Sequence, residues 1–231
     1  MHRPILADSQ ELLARPIPGG WMWRTIEVAD HAWELLLPAD QNAFLQQTAN
    51  DDEWPDPYWT QIWPAARSMA ALVLARNWPA ETRLLELGCG SGLVGLAALA
   101  RGCHVTFSDY VPLAVELACA NARHNGFAQV QGKVLDWRSP GTEPRYSTII
   151  AADVIYDSEL HQPLLNTLKA RLHTGGFVWL AEPGRMETAN AFLQLAAEAG
   201  WLAKFVDEQG SPCESLQPGQ FRRVKLTRNA D

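Results

Sequence analysis

The chain has 231 residues, of which 47% are hydrophobic and 19% are charged, so its composition is that of an ordinary globular protein with one substantial core. Its net charge of −7 disfavours a long phosphate backbone as partner, because nucleic-acid binding draws most of its affinity from basic residues. No apolar run is long enough to span a bilayer, so we expect neither nucleic acid nor membrane as a partner.

The four cysteines carry no sign of a disulfide framework or a metal site. They form no CxxC pair and have no histidine at zinc-binding spacing, which predicts free thiols and no bound metal. The first 20 residues include acidic side chains and lack the apolar segment of a secretory signal. We therefore expect a cytoplasmic protein.

Residues 1–55 are predicted to form an N-terminal extension that packs on a main domain over residues 56–231. Two β-prone runs, Trp21–Val28 and His31–Leu37, flank a short break and predict a β-hairpin. The first two predicted helices cover Asn42–Thr48 and Pro64–Asn77.

The stretch Arg83–Gly95 reads RLLELGCGSGLVG and predicts a strand, a tight loop and the start of a helix. Its glycines allow positive φ angles and let a ligand approach the main chain. The first N–H groups of the following helix point at such a ligand. The stretch therefore predicts a nucleotide-type binding loop.

Strands and helices alternate after this loop, and the βαβα order predicts a parallel sheet with helices on both faces. The predicted elements are Leu93–Ala100, His104–Ser108, Val111–His124, Gln131–Leu135, Ser147–Ala152, Glu159–Leu172, Phe177–Ala181 and Met186–Ala199. The last two strands, Trp201–Val206 and Phe221–Thr227, are joined by too few residues for a crossover helix, so they predict an antiparallel pair. The expected fold is an α/β, Rossmann-like, seven-stranded and mostly parallel sheet.

The glycine loop alone leaves two cofactor classes open. Its GxGxxG pattern, with Asp109 about 20 residues further on, fits the dinucleotide site of an NAD-dependent oxidoreductase. Glu86 before the glycines gives ExGxGxG, and with the antiparallel tail the chain resembles the class I, seven-strand methyltransferases. That resemblance implies S-adenosylmethionine as the cofactor, S-adenosylhomocysteine as its product, and no metal.

The resemblance also implies a set of cofactor contacts. Asp109 is expected to accept hydrogen bonds from the two ribose hydroxyls, Asp136 from the adenine amino group, and Trp63 is expected beside the cofactor. The implied cofactor-binding residues are Trp63, Glu86, Gly88, Gly90, Gly92, Asp109, Tyr110, Asp136, Trp137 and Ala152. Three of them have a structural alternative, since Asp109 could cap the following helix, Asp136 could be a turn residue, and Trp63 before the helical proline could be a packing residue.

Three further motifs narrow the reaction. They are DPYW…WP from Asp56 to Pro64, DVIYD from Asp153 to Asp157, and EPGR from Glu182 to Arg185. Together they resemble the methyltransferases that modify lysines of the electron transfer flavoprotein β-subunit, over residues 56–185. That group usually has aspartate at the position of Glu182.

Methyl transfer from a sulfonium to an amine is an in-line displacement, so the protein must align the reactants and obtain a neutral amine. A lysine amine with a pKa of about 10.4 is mostly protonated at neutral pH. The resemblance implies that Asp153 holds this ammonium and that Tyr156 lines the channel, with Trp59, Glu182 and Arg185 binding substrate. The structural alternatives are that Asp153 caps the next helix, that Tyr156 is a core aromatic, and that Glu182 and Arg185 form a salt bridge with each other.

The sequence therefore predicts a monomeric N-methyltransferase that uses S-adenosylmethionine and acts on lysine side chains of a protein, such as the electron transfer flavoprotein β-subunit. A small nicotinamide-like amine is the first alternative substrate, because a similar pocket could accept one. An NAD-dependent oxidoreductase and a non-catalytic S-adenosylmethionine-binding protein are alternatives of a different class.

Overall fold

The computed structural model describes residues 9–48, 57–141, 144–207, 211–213 and 222–228. The predicted boundary between extension and main domain, at residues 55 and 56, lies outside these ranges, as do the first residue of the DPYW motif and the first residue of the last predicted strand. No helix in the described part of the chain is long and apolar enough to cross a membrane.

The N-terminal part contains a β-hairpin, as predicted. Its elements are α1 (Ser9–Leu13), β1 (Trp21–Val28), β2 (His31–Pro38) and α2 (Gln41–Thr48). β1 and β2 pair antiparallel from Trp21 opposite Pro38 to Val28 opposite His31, and Ala29 takes a φ of 52° in the two-residue turn. Pro38 is thus the last residue of β2, where the sequence predicted that it would follow the strand.

A short 3₁₀ helix over Pro57–Thr60 leads into α3 (Pro64–Ala75). Pro64 starts this helix as predicted, because proline has no N–H and the first helical position needs no intrahelical donor. The helix ends two residues earlier than predicted, since the backbone of Arg76 is extended, with φ −91° and ψ 141°.

The predicted α/β sheet is confirmed, and among the described residues it has seven full strands and one two-residue strand. Its elements are β3 (Arg83–Leu87), α4 (Leu93–Ala100), β4 (His104–Asp109), α5 (Pro112–His124), β5 (Gln131–Val134), β6 (Tyr146–Ala152), a 3₁₀ helix (Ser158–Leu160), α6 (His161–Arg171), β7 (Leu172–Glu182), α7 (Met186–Glu198), β8 (Trp201–Val206), β9 (Pro212–Cys213) and β10 (Arg222–Arg228). The strand order is β5-β4-β3-β6-β7-β10-β8-β9. The first five strands in this order are parallel, and β10, β8 and β9 are antiparallel to their neighbours, as the tail predicted.

β7 begins five residues before the predicted start at Phe177. Tyr146 of β6 pairs with Leu172, and the ladder resumes at Thr148 with Phe177 after a register shift. The intervening HTGG segment has no strand pattern in the sequence, and it lies in the strand as an irregularity between two residues that pair with β6.

The strand order places a ligand crevice at the carboxyl edge of β3 and β6. From β3 the chain builds outward through β4 and β5, and it then returns to the other side of β3 with β6. Helices that leave adjacent strands in opposite directions open a crevice at such a reversal. The glycine loop after β3 and the DVIYD motif after β6 therefore meet at one edge of the sheet.

Two cores cover the two faces of the sheet. Helices α3 and α4 and the hairpin contribute to one core, and α6 and α7 to the other. α4 lies close on the sheet because Gly95 has no side chain. A Cβ atom there would overlap the Phe107 ring and would lie 2.6 Å from Oε2 of Glu86.

One buried amide ties the hairpin to the glycine loop. Oδ1 of Asn121, on α5, accepts the backbone N–H of Leu36 at 2.8 Å, and its Nδ2 donates to the carbonyl oxygens of Leu36 at 3.3 Å and Ser91 at 3.0 Å. The Asn121 side chain is fully buried. The hairpin is therefore fixed to the same helix and loop that form the crevice.

We expect Asn121→Ala to lower the free energy of unfolding by about 2 to 4 kcal/mol, because it leaves buried backbone groups of Leu36 and Ser91 without partners. Urea unfolding monitored by tryptophan fluorescence measures this loss. Asn125→Ala is the matched control, since Asn125 bonds the exposed backbone of Glu34, where water can replace it. Its Nδ2 also donates to the carbonyl oxygen of Asn121, which keeps the backbone N–H of Asn125 as a donor in the variant. Its loss should be at most about 1 kcal/mol. Equal losses in the two variants would contradict the proposed anchor.

Candidate active site

A cavity of about 410 Å³ lies at the carboxyl edge of β3, β4 and β6. This volume lies in the range of small-molecule and cofactor sites. Twelve of the residues that the sequence singled out line it: Trp59, Trp63, Glu86, Gly88, Gly90, Asp109, Tyr110, Asp136, Trp137, Ala152, Asp153 and Tyr156. Gly92, Glu182 and Arg185 are outside the lining.

The glycine loop takes a backbone course that side chains would obstruct. Gly88 and Gly90 have φ angles of 63° and 48°, which favour glycine. A Cβ on Gly90 would lie 3.0 Å from the carbonyl oxygen of Trp59, and one on Gly88 would lie 3.0 Å from Cγ1 of Val154. Gly92, with a φ of 86°, is the N-cap of α4 and supports the loop from behind.

Asp109 ends β4 and holds the backbone on both sides of the cavity. Its Oδ2 accepts the N–H of Gly90 and its Oδ1 accepts the N–H of Val111, each at 3.1 Å. The bond from Val111 resembles the helix-capping role that was the alternative for Asp109, although Val111 itself is at the N-cap position of α5. A carboxylate offers about four acceptor sites, so Asp109 can serve the loop and a diol ligand at once.

Glu86 lies below the loop and caps α4. Its Oε2 accepts the N–H of Gly95 at 2.9 Å, and only 4% of the residue is exposed. Burial raises the pKa of the Glu86 carboxyl to about 8, the Gly95 hydrogen bond opposes the shift, and the negative charge of Asp109 adds to it. The carboxyl therefore has a substantial protonated fraction at neutral pH.

Asp136 and Trp137 line the cavity beyond β5. Oδ1 of Asp136 accepts the backbone N–H of Arg138 at 2.9 Å, which is the turn geometry given above as its alternative role. The side chain is 49% exposed, and Trp137 packs partly against the α6–α7 core. Asp136 can thus form the turn and still present an oxygen to a ligand.

Aromatic side chains form the mouth of the cavity. The Tyr58 ring contacts the rings of Trp63 and Tyr156 edge to face, each with a centroid separation of 6.1 Å. Tyr58 is 48% exposed and Tyr156 is 38% exposed. Tyr156 is therefore not a core aromatic, which was the alternative for it. The sequence analysis did not assign Tyr58 to the site, although it belongs to the DPYW motif.

Asp153 follows β6 at the wall of the cavity, and only 8% of the residue is exposed. Its φ of 58° is uncommon for a residue with a side chain, and its N–H donates to the carbonyl oxygen of Ala181 at 2.8 Å. The next 3₁₀ helix is capped by Asp157, which accepts the N–H of Glu159 at 2.9 Å. Asp153 does not serve as that cap.

The EPGR motif contacts the cavity wall from outside. Oε2 of Glu182 accepts the backbone N–H groups of Gly184 at 2.8 Å and Arg185 at 2.9 Å. The guanidinium of Arg185 forms an ion pair with the carboxylate of Asp153. The predicted alternative of a Glu182–Arg185 salt bridge is therefore wrong, because the guanidinium pairs with Asp153.

Three features of the cavity fit a nucleoside with a charged tail. The loop of glycines leaves room that any side chain would fill, and Asp109 provides a carboxylate at the end of β4. Trp59 lines the wall, and its Nε1 is buried without a partner in the described part of the chain. No group of three or more possible metal ligands occurs among the described residues.

A family model described as lysine methyltransferase matches residues 43–199, which is more than half of the chain. The chain belongs to the lysine methyltransferase family.

Among curated proteins, this family member is 29% identical over 202 residues to ribosomal protein L11 methyltransferase of Alkalilimnicola ehrlichii, covering 77% of this chain and 64% of that protein. The chain thus spans less than two thirds of that relative's length. It is 32% identical over 149 residues to protein N-lysine methyltransferase METTL21A of Xenopus tropicalis, and the match covers 59% of this chain and 69% of that protein. N-methyltransferase NodS from Bradyrhizobium japonicum, solved with S-adenosyl-L-homocysteine, has the same fold, with a TM-score of 0.57 at 19% identity. The structural match covers 81% of this chain and 97% of the NodS chain.

We expect the stability of the protein to depend on Glu86 between pH 4.5 and 8. The pKa of this carboxyl is about 8 in the folded protein and has an ordinary value of 4.5, so its contribution is complete below pH 4.5 and is lost as the pH rises through 8. The wild type should lose about 2 to 4 kcal/mol of unfolding free energy from pH 5 to pH 8.5 relative to Glu86→Gln, which does not titrate. Urea unfolding at each pH measures this difference, and parallel curves for the two proteins would refute it.

Proposed function

We propose that the protein is an S-adenosylmethionine-dependent N-methyltransferase that modifies lysine side chains of a protein. The observation that carries the proposal is the buried carboxylate of Asp153 at the wall of a cavity that the glycine loop also lines and whose mouth is aromatic. Membership of the lysine methyltransferase family supports it.

The proposed cofactor site uses the residues around the loop. The backbone of Gly88 and Gly90 would carry the methionine part, Asp109 would accept both ribose hydroxyls, and Asp136 would accept the adenine amino group. When bound, S-adenosylmethionine supplies an electrophilic methyl group. No residue of the cavity has to act as a nucleophile, so the protein contributes alignment and electrostatics.

The proposed lysine site lies between Asp153 and the aromatic mouth. Rings of Tyr58, Trp63 and Tyr156 can enclose the aliphatic part of a lysine and favour its cationic end. Asp153 would accept hydrogen bonds from the ammonium and direct the nitrogen into the cavity. A proton then passes from the ammonium to water before the nitrogen reacts.

The names of two relatives favour a protein over a small amine as substrate. One of them is described as a methyltransferase of ribosomal protein L11 and the other as a protein N-lysine methyltransferase. The exposed aromatic mouth suits a lysine that is presented on a protein surface. The electron transfer flavoprotein β-subunit is the first candidate substrate, on the resemblance of the DPYW, DVIYD and EPGR motifs. A cytoplasmic, monomeric enzyme stays a prediction.

We expect Asp109→Ala to raise the dissociation constant of S-adenosylhomocysteine about 10- to 100-fold, because it removes a charged acceptor and the bond that fixes Gly90. Isothermal titration calorimetry measures the constant. Asp136→Ala removes a half-exposed acceptor and should raise it only about threefold. An unchanged constant for Asp109→Ala would remove this residue from the proposed site. Binding of NAD in place of S-adenosylhomocysteine would overturn the cofactor assignment.

The reaction itself is tested by incubating the protein with methyl-labelled S-adenosylmethionine and a cell lysate or purified electron transfer flavoprotein β-subunit. We expect label in methylated lysine after acid hydrolysis of the protein fraction. Asp153→Ala should lower the incorporation at least about 100-fold while still binding S-adenosylhomocysteine, since a transition-state contact is lost and the cofactor contacts stay.

Glu159→Ala is the matched control for this experiment, because it removes a nearby exposed carboxylate outside the cavity lining. It should retain wild-type incorporation. Label confined to small metabolites would support a small amine as substrate and would exclude the lysine assignment. Full activity of Asp153→Ala would exclude the proposed role of that residue.

A further inference from the structure

Asp153 is bonded to a fixed cation on the side away from the cavity. Nη1 of Arg185 donates to Oδ1 of Asp153, and Nη2 lies 3.4 Å from Oδ2. The Asp153 side chain is only 4% exposed and the Arg185 side chain is 43% exposed. Asp153 belongs to the cavity lining and Arg185 does not. Of this ion pair, the Asp153 residue borders the cavity and the Arg185 residue does not.

The backbone holds this ion pair in place from two strand ends. The N–H of Asp153 donates to Ala181 at the end of β7, which fixes the residue that follows β6. Glu182 is 1% exposed, and its carboxylate binds the backbone N–H groups of Gly184 and Arg185. Gly184 has a φ of 90°, which turns the chain so that Arg185 comes back over Asp153. Glu182 thus orients the loop, and the guanidinium is left to Asp153.

A carboxylate has about four acceptor sites, and a guanidinium that donates once to each oxygen leaves the others for a second donor. A lysine ammonium that enters from the cavity would then share the carboxylate with Arg185. Two like charges on one carboxylate favour the neutral form of whichever group can lose a proton. Arginine does not lose its proton in proteins, so the lysine does.

We infer that Arg185 sets the protonation state of the substrate amine: through the shared carboxylate of Asp153, its fixed charge drives the bound lysine towards the neutral form that accepts a methyl group. Arg185 is then a positioning and electrostatic residue that never touches the methyl donor. This inference rests on the proposed function.

The step balances as follows. The substrate ammonium releases one proton to water and becomes a neutral amine. The nitrogen lone pair forms the new N–C bond to the methyl group while the electron pair of the C–S bond goes to sulfur. The products are a methylated ammonium and a neutral thioether, so the total charge of the reactants is conserved once the released proton is counted.

The inference can be tested without knowing the substrate. Sinefungin carries an amine at the position of the transferred methyl group, and S-adenosylhomocysteine has no group there. The sinefungin ratio, which is the affinity for sinefungin divided by the affinity for S-adenosylhomocysteine, therefore reports the charge environment of the methyl-transfer position. Calorimetry at pH 7 gives this ratio for the wild type, Arg185→Gln, Arg185→Lys and Asp153→Asn. The affinity for S-adenosylhomocysteine serves in each variant as the measure of an intact cofactor site.

We expect Arg185→Gln to raise the sinefungin ratio about three- to tenfold, as removal of a nearby like charge in a partly solvated site predicts. Arg185→Lys keeps the charge and should stay within about twofold of the wild type. Asp153→Asn should lower the ratio, because the guanidinium then acts on the amine without its counter-charge. The double variant, Arg185→Gln with Asp153→Asn, should recover most of that loss, which tests the coupling even if a single variant is less stable.

The inference about Arg185 would be overturned if Arg185→Gln kept the sinefungin ratio of the wild type and the double variant kept that of Asp153→Asn, with S-adenosylhomocysteine still bound. The proposed function would then still stand. A ratio that falls in Arg185→Gln would also overturn the inference, since that outcome assigns Arg185 an attractive effect on the amine. Failure of the wild type to bind either compound would instead refute the proposed cofactor and with it the proposed function.

Discussion

Two carboxylates hold the glycine loop from below and from the side, and the rest of the site depends on them. Glu86 accepts the N–H of Gly95 at the start of α4, and Asp109 accepts the N–H of Gly90 in the loop. Both side chains are at least nine-tenths buried, so each needs these backbone donors in place of water. The loss of water on burial raises the pKa of Glu86 to about 8, and the nearby charge of Asp109 adds to this rise. The glycine loop therefore depends on the hydrogen bonds that its backbone donates to Glu86 and Asp109.

An ion pair between Asp153 and Arg185 holds another part of the cavity wall. Asp153 lies at the end of β6 with its backbone bonded to the end of β7, and Arg185 reaches it from the loop that Glu182 orders. Parallel strands bring these two ends together because their carboxyl termini share one sheet edge. The crevice at the reversal of strand order is thus lined by the glycine loop and by the carboxylate of Asp153, which is paired with Arg185. The aromatic mouth closes the remaining side.

Much of the fold could be predicted because it depends on local pattern. Alternating apolar runs and glycine or proline breaks gave the order of strands and helices, and the short connection between the last two long strands indicated their antiparallel pairing. The start of β7 was predicted five residues late, because His173–Gly176 has no strand pattern and lies at a register shift between Leu172 and Phe177, which both pair with β6. The anchor at Asn121 was also missed, since a buried asparagine on a helix gives no sign in the sequence of which backbone groups it will bind.

The sequence by itself determined the glycine loop, the acids at the strand ends and the three motifs, because residue type and spacing along one chain carry that information. The tertiary structure alone decided which of these groups contact each other. EPGR and DVIYD are separated by some 25 residues in the chain, and the partner of Arg185 could not be read from spacing, since two acids, Glu182 and Asp153, were available. The backbone N–H groups of Gly184 and Arg185 bind Glu182, and the turn that they form brings the guanidinium to Asp153.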